Sequence, residues 1–381
     1  MAYAHALINP AMLRWARDRA GFDVNEAAMA AGVKPEQFQR WEDGDAQPTF
    51  RQAQLVANVL HTPFGYLFLP EAPADEPALP DLRTVGGAPP AARHSVNLTE
   101  TIQQAMQRQA WFVEYLQEQG AQALPFVGRF NTSSSAERVA QDIRTVLGVD
   151  VEQGQRTWET YYRELIEAAE RAGVLVMRSG IVGNNTHRKL DVGEFRGFAI
   201  SHSLAPVVFI NSSDAPSARL FTLLHELAHI WLGSSGVSNA APGNISREEV
   251  FCNAIAGEFL APASVFAQLW ATASQDLTVR LAELAHRFHV SRFVVMRRAL
   301  DMGLVNQATY AAFYRAELDA FRSAGGGGGS FYRNAGAKNS ARFARAVIAE
   351  AFSGRLLLRD AGKLLGVQPS KIRDFAGQLG A

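Results

Sequence analysis

The sequence has a single cysteine, Cys252, among 381 residues. No intrachain disulfide can form, and that composition fits a reducing compartment. It has no excess of charge either, since 37 lysines and arginines face 37 aspartates and glutamates. A neutral balance removes the global electrostatic argument for nucleic acid or membrane, so any DNA binding has to come from a local surface. Long apolar runs are missing: none approaches the roughly 18–20 residues that a membrane helix needs. The start, Met1 to Leu13, carries Asn9 and Pro10 and lacks a basic stretch followed by a long apolar run, so no signal peptide is read there. These absences predict a soluble, cytoplasmic protein with no membrane partner. Apolar side chains, by contrast, make up 48% of the chain, enough for sizeable cores, and the length suggests two or three domains.

Composition divides the chain into regimes. Residues 10–69 hold short helical patterns broken by glycine and proline. Residues 70–96 are rich in proline and alanine, from Pro70 to Pro90, and read as a semi-extended linker. Apolar residues three or four apart predict helices from 97 to about 116, over 135–147 and over 157–172. After Gly173, the runs Val174–Met177, Arg196–Ser201 and Val207–Ile210 are short and rich in β-branched residues, and predict a small antiparallel sheet. Helical patterning then resumes to the C-terminus. A glycine run, Gly325–Gly329 with Ser330, reads either as an engineered linker or as a native hinge before the helical segment 340–379. The expected domains are 1–69, a linker at 70–96, a helical region at 97–156, a core domain at 157–305 and a helical C-terminal region at 306–381.

The chemistry concentrates in His225-Glu226-Leu227-Ala228-His229. Asp214 is placed to cap the preceding helix and Pro216 falls in its first turn, where a missing N–H costs little. Residues four apart share a helix face, so His225 and His229 can aim two imidazoles at one ion. Glu226 lies one position round and reaches a water rather than the ion. Leu220, Leu223, Leu224, Leu227, Ala228, Ile230 and Trp231 make this helix apolar nearly all round, hence buried. Ionisable groups on a buried helix need partners, and a metal supplies one.

A catalytic zinc normally has three protein ligands. The downstream helix, capped by Ser246 and ending before Pro262, offers Glu248, Glu249 and Glu258. Glu249 shares a face with Asn253, Ala256 and Gly257, and the last two let a neighbouring helix approach closely, which makes Glu249 a good third ligand. The competing reading is that Glu249 only completes a capping box with Ser246. Cys252, one turn on, could ligate or simply pack.

The HExxH motif, followed about twenty residues on by E-x-x-C-N-x-x-A-x-x-F-L-x-P from Glu249 to Pro262, resembles the ImmA/IrrE family of bacterial metallopeptidases. Val207-Val208-Phe209-Ile210-Asn211 and Phe221-Thr222 add to the likeness. The resemblance implies His225, His229 and Glu249 as metal ligands and Glu226 as general base. The ion is expected to be Zn2+, with Mn2+ or another divalent metal as the alternative. Asn9-Pro10, Trp41-Glu42-x-Gly44 and Gln47-Pro48-Thr49 resemble the XRE-type helix-turn-helix often fused to this peptidase. Leu82-Arg83-Thr84, Val127-Gly128 and Phe331-Tyr332-Arg333 resemble the family's long form, which favours a native glycine run. Such proteins are implied to cleave DNA-binding repressors, or to stand beside toxin genes as antitoxin-like regulators of transcription or a stress response.

Read from the residues alone, 10–20, 24–31, 35–43 and 49–60 are four short helices with Gly32 at a tight turn. Ala27, Ala28, Val33, Phe38, Trp41, Leu55, Val56 and Val59 have core spacing. The third helix would read a partner through Glu36, Gln37 and Arg40. Residues 1–69 hold six cations against seven anions, a net −1, and Glu42, Asp43 and Asp45 crowd the end of that helix. The pattern suggests DNA and the charge suggests a protein, so both stay open. His286 and His289, in a second helix-turn-helix-like pair over 281–300, read as structural, and the arginines around them as a solvated face. His187 and His202 flank the strands and are candidates for donating to a developing oxyanion. The fold expected is α+β: an all-α helix-turn-helix domain, then a mainly helical, zincin-like core with a small antiparallel sheet. The function expected is a metallopeptidase acting on a repressor or antitoxin-like partner. The alternative is a transcriptional regulator or antitoxin whose peptidase fold mainly binds a partner such as a toxin.

Overall fold

Four helices form where the N-terminal patterning puts them, in a computed structural model that describes residues 5–73, 94–149, 158–214, 216–238, 246–323 and 338–379. Much of the proline-rich linker, Leu82-Arg83-Thr84, the glycine run and Phe331-Tyr332-Arg333 lie outside the described residues. The chain forms an α+β protein of two compact units, dividing within one helix at Ile102.

In the first unit, α1 (Pro10–Ala20) starts on Asn9, whose side chain accepts from the Ala11 N–H, and stops at left-handed Gly21. Capping boxes start α2 (Val24–Ala30), through Asp23 and Glu26, and α4 (Phe50–Val59), through Thr49 and Gln52. Between α2 and α4, α3 (Pro35–Asp43) ends at left-handed Gly44. Ala27, Ala28, Phe38, Trp41 and Val56 close the core as the spacing predicts, with Val33 and Val59 packed at its edge. Leu55 departs from the expectation and is 46% exposed, because the buried stripe of α4 runs through Ala53, Val56 and Ala57. Glu42 departs too. It is buried, and its carboxylate accepts from Arg17 Nε at 2.7 Å. The end of α3 therefore presents Asp43 and Asp45, and the cancelled Arg17–Glu42 pair leaves the net charge at −1.

The second unit is built on a four-stranded sheet of β1 (Leu175–Ser179), β2 (Gly197–Ile200), β3 (Val207–Asn211) and β4 (Gly236–Ser238), in the order β1-β3-β2-β4. The expected antiparallel pairing holds for β2–β3, a fourth strand that the patterning did not predict, β4, pairs antiparallel with β2, and β1 runs parallel to β3. The reason is topological. Residues 180–196 carry the chain past the place of β3 to β2, and a tight reversal then returns it between β1 and β2. Every residue of β2 and β3 is buried, which is why these strands read as continuous apolar runs rather than alternations. The sheet shares one core with α6 (Ala136–Leu147), α7 (Trp158–Ala172), α8 (Pro216–Leu232) and α9 (Arg247–Leu260), through Ile143, Leu165, Val208, Leu224 and Ile255. A long helix, α5 (Val96–Glu118), is stitched to the sheet by Gln109, whose amide donates to the Ile200 and Ala205 carbonyls.

A separate apolar cluster joins α10 (Ala263–Thr272), α11 (Leu277–Phe288) and α12 (Arg292–Asp301). His289 takes a left-handed conformation at the α11–α12 turn and its N–H caps α11, a structural role. Arg298 leaves the expected solvated face: it is buried and pairs with Glu258. After α13 (Gln307–Ser323), the last described helices are α14 (Ala341–Phe352), α15 (Leu358–Leu365) and α16 (Ile372–Leu379). Glu170 of α7 accepts the Ala341 and Arg342 N–H groups and so fixes the start of α14. Among the described residues no single helix is long and apolar enough to cross a membrane.

Candidate metal centre

The path to the site begins at Asn211, the fully buried last residue of β3. Its side chain donates to the Phe195 carbonyl and accepts from the Ser213 N–H, which turns the chain towards α8. At its other end, α8 gives its Ile230 and Trp231 carbonyls to the N–H groups of Gly128 and Phe130. That cap needs two glycines: Gly233 is left-handed, and a Cβ on it would come within 3.0 Å of the Gly128 backbone. The Trp231 indole donates to Asp142 and stacks on Phe126, so α8 is held against rotation next to its histidines.

His225 and His229 point inward, 5% and 0% exposed, and their Nε2 atoms stand 3.2 Å apart. Glu249, in the first turn of α9, brings one carboxylate oxygen to 3.1 Å from His229 Nε2 and the other to 3.2 Å from His225 Nε2. One donor atom from each of these three residues lies within 4.8 Å of the others. Ser246 caps α9 by accepting the Glu249 N–H, while the Glu249 side chain turns to the histidines. Glu258 is occupied elsewhere, with Arg298 on one oxygen and the Ala263 N–H on the other.

The outer contacts fix the imidazoles. His225 Nδ1 donates to Asn253 Oδ1 at 3.0 Å, and His229 Nδ1 lies 3.1 Å from Glu248 Oε1. An ion at the centre would take both Nε2 lone pairs, with the one remaining proton of each imidazole on Nδ1. Ser238, on β4, sets its hydroxyl 3.2 Å from His225 Nε2. Cys252 packs 3.5 Å from His229 Nδ1, behind the ring rather than among the donors. Although burial works to raise it, the hydrogen bonds and charges of both histidines hold the Glu249 carboxyl down at about 2. Glu249 is thus an anionic donor at neutral pH, and two imidazoles with one carboxylate suit a divalent ion such as Zn2+.

Glu226 is fully buried, and neither carboxylate oxygen meets a donor in hydrogen-bonding geometry, although the Ser238 hydroxyl lies close enough to favour its charged form. Burial pushes its pKa up to about 7, against the opposing pull of the two imidazoles. It packs against the sheet at Gly197. A Cβ there would stand 2.7 Å from Glu226 Oε1, 2.8 Å from Thr222 Cγ2 and 2.9 Å from the Phe209 carbonyl. A buried carboxyl with no partner, beside three converging donors, is the kind of orphaned group that a bound ion and its water would satisfy.

The other predicted residues are not among these converging donors. His187 is exposed, and its N–H bonds Asn185 in the β1–β2 connection. His202 uses Nδ1 to accept the Leu204 and Ala205 N–H groups and so builds the β2–β3 turn. Glu36, Gln37 and Arg40 are exposed on α3 in the other unit. With a net charge of −1, residues 1–69 are expected to bind duplex DNA weakly and with strong salt dependence, or not at all. Nanomolar, sequence-specific binding in a mobility-shift assay at physiological salt would contradict that. Sequence reasoning missed Gly197 and Ser238. A glycine interrupting a strand signals close backbone approach, so Gly197 was findable. Ser238 reaches the histidines only because three-residue β4 pairs with β2, and no local signal announces it.

Three segments match known families. Residues 169–300 match the IrrE N-terminal-like domain of peptidase family M78. Residues 13–67 match a helix-turn-helix family, and residues 339–378 match a domain of unknown function, DUF8813. No curated protein matches the chain significantly.

Proposed function

We propose that this chain, an XRE-type helix-turn-helix protein with a peptidase domain of the ImmA/IrrE family, is a cytoplasmic metal-dependent endopeptidase that cleaves a DNA-binding repressor or antitoxin-like partner. The observation that carries the reading is the buried, unpartnered Glu226 carboxyl beside the converging His225, His229 and Glu249. Those three residues would hold the ion, Zn2+ first among candidates. When bound, it supplies Lewis-acid polarisation of the scissile carbonyl and acidifies water towards neutral pH. Glu226 takes the proton of the attacking water on its carboxylate as the water oxygen bonds to the carbonyl carbon. It then returns that proton to the leaving amine nitrogen as the C–N bond breaks. Burial favours the protonated form of this carboxyl, which suits a group that must hold the proton between the two steps. Asn253 and Glu248 orient the imidazoles through Nδ1.

Protein rather than DNA is the favoured partner of the helix-turn-helix. Its charge is net negative, and Leu7 and Met29 are more than three-quarters exposed. The experiment is incubation of the purified protein with a helix-turn-helix repressor from a neighbouring gene, alongside the Glu226→Gln variant. Cleavage by the unmodified protein alone supports the reading. Repression relieved equally by both proteins, with no cleavage, contradicts it.

Gly197 gives a second test of the base's position. Gly197→Ala, in a variant that folds and holds its metal despite crowding the Phe209 carbonyl, is expected to lower cleavage about 100-fold, because displacing a reacting group by about 1 Å has that effect. Metal content and cleavage rate measured together check it, and undiminished cleavage would mean that Gly197 does not set the place of Glu226.

A further inference from the structure

A second pocket lies far along the chain from the histidine motif and uses none of its residues. It is a cavity of about 260 Å³ lined by Gln104, Gln107 and Arg108 of α5, Gly183 and Asn184 of the β1–β2 connection, and the C-terminal segment at Lys338, Lys363 and Gly366. Arg108 and Lys338 are both buried, 6% and 7% exposed. Among the described residues neither pairs with a carboxylate. Arg108 Nε donates to the Leu364 carbonyl at 3.0 Å. Lys338 Nζ donates to the Gly183 carbonyl at 2.8 Å and to Asn184 Oδ1 at 3.0 Å. Their mutual repulsion adds to the cost of burial. Burial lowers Arg108 to about 10, and burial together with Arg108 lowers Lys338 to about 8.

Two buried cations without a counter-charge are costly, and carbonyl oxygens supply only partial charge. The Nε of Arg108 is used on a carbonyl, which leaves the fork of its two terminal nitrogens for a ligand, and Lys338 keeps one of its three N–H donors. Asn184 is fixed for its part, since its amide donates to the Gly366 carbonyl. Gly366 is left-handed, and a Cβ on it would approach Lys338 Nζ to 3.1 Å, so a side chain there would crowd the ammonium. Lys363 stands exposed at the rim, 3.9 Å from Asp360.

We propose that this cavity binds a small phosphate-bearing ligand, with Arg108 and Lys338 as the buried cations and Lys363 at the mouth. A phosphate monoester carries about −1.5 to −2 at neutral pH, which matches two buried positive charges where a carboxylate would neutralise one. Arginine's planar fork suits phosphate oxygens, and lysine adds a point charge. The cavity is smaller than the roughly 300–1,000 Å³ that holds drug-sized molecules, which limits the ligand to phosphate with a small substituent. Such a ligand would bridge α5, the β1–β2 connection and the C-terminal segment that matches the domain of unknown function. The proposal stands or falls independently of the peptidase reading.

The test uses the full chain and three probes at millimolar concentration: inorganic phosphate, glycerol phosphate and adenosine monophosphate, with chloride at matched ionic strength as the control. At least one phosphate probe is expected to raise the unfolding midpoint and to bind saturably. Lys338→Met should weaken that binding about 10- to 100-fold, the loss expected for one charge-assisted hydrogen bond. Lys363→Glu carries little folding risk, because the side chain is exposed, and should weaken binding in the same direction while metal content stays unchanged. The three arms separate free phosphate from a small phosphorylated metabolite as the source, and adenosine monophosphate, too bulky for the cavity, should bind no more tightly than inorganic phosphate. Absence of any response to all three probes, or equal affinity in the wild type and both variants, would overturn the proposal.

Discussion

Replacement of Glu226 by glutamine is expected to leave the fold and the bound metal intact while lowering cleavage about 100- to 10,000-fold, the usual cost of losing general acid–base catalysis. Glutamine keeps the shape of glutamate but cannot take a proton from water at neutral pH. The surroundings make the substitution clean. Neither Glu226 oxygen makes a hydrogen bond that the amide would break, and Glu226 is not among the three converging donors. Burial already disfavours the charged carboxylate at this position, so a neutral amide should not destabilise the helix. Thermal unfolding and metal content should match the wild type, with cleavage of the cognate partner near background. A variant that retains full cleavage would remove Glu226 from the mechanism. A variant that loses its metal would place Glu226 among the ligands instead.

Much of this site could be read from the sequence because its chemistry lies on two helices. The His225–His229 spacing follows from helix geometry alone, and Asn253 and Ala256 could be placed on the face of Glu249 without coordinates. The cap at Ser246 is likewise legible as a local pattern, whereas the caps at Asn9, Asp23 and Thr49 emerge only in the structure. What stayed hidden depends on contacts distant in the chain. The sequence leaves three glutamates open as the third ligand, and the pairing of Glu258 with Arg298, forty residues away, removes one of them. The direction of β1 relative to β3 could not follow from apolar runs that look alike in either orientation. Glu42 counted as a surface charge until its partner Arg17, on another helix, was seen to bury it. Leu55 has helical core spacing, but α4 is short and its smaller neighbour Ala53 takes the inner face.

The central claim is that His225, His229 and Glu249 hold one divalent ion, and the metal-to-protein ratio of purified variants tests it most directly. The comparison sets His229→Ala and Glu249→Ala against Glu258→Ala, each checked for folding by circular dichroism. Glu258→Ala strands the buried Arg298 without its partner and should cost about 3–5 kcal/mol of stability, yet it removes no donor from the centre. A three-ligand site predicts about one ion per chain in the wild type and in folded Glu258→Ala, with most of the metal lost from the other two. Full occupancy in Glu249→Ala together with loss in Glu258→Ala would contradict the assignment, and so would a wild-type protein that takes up no metal at all.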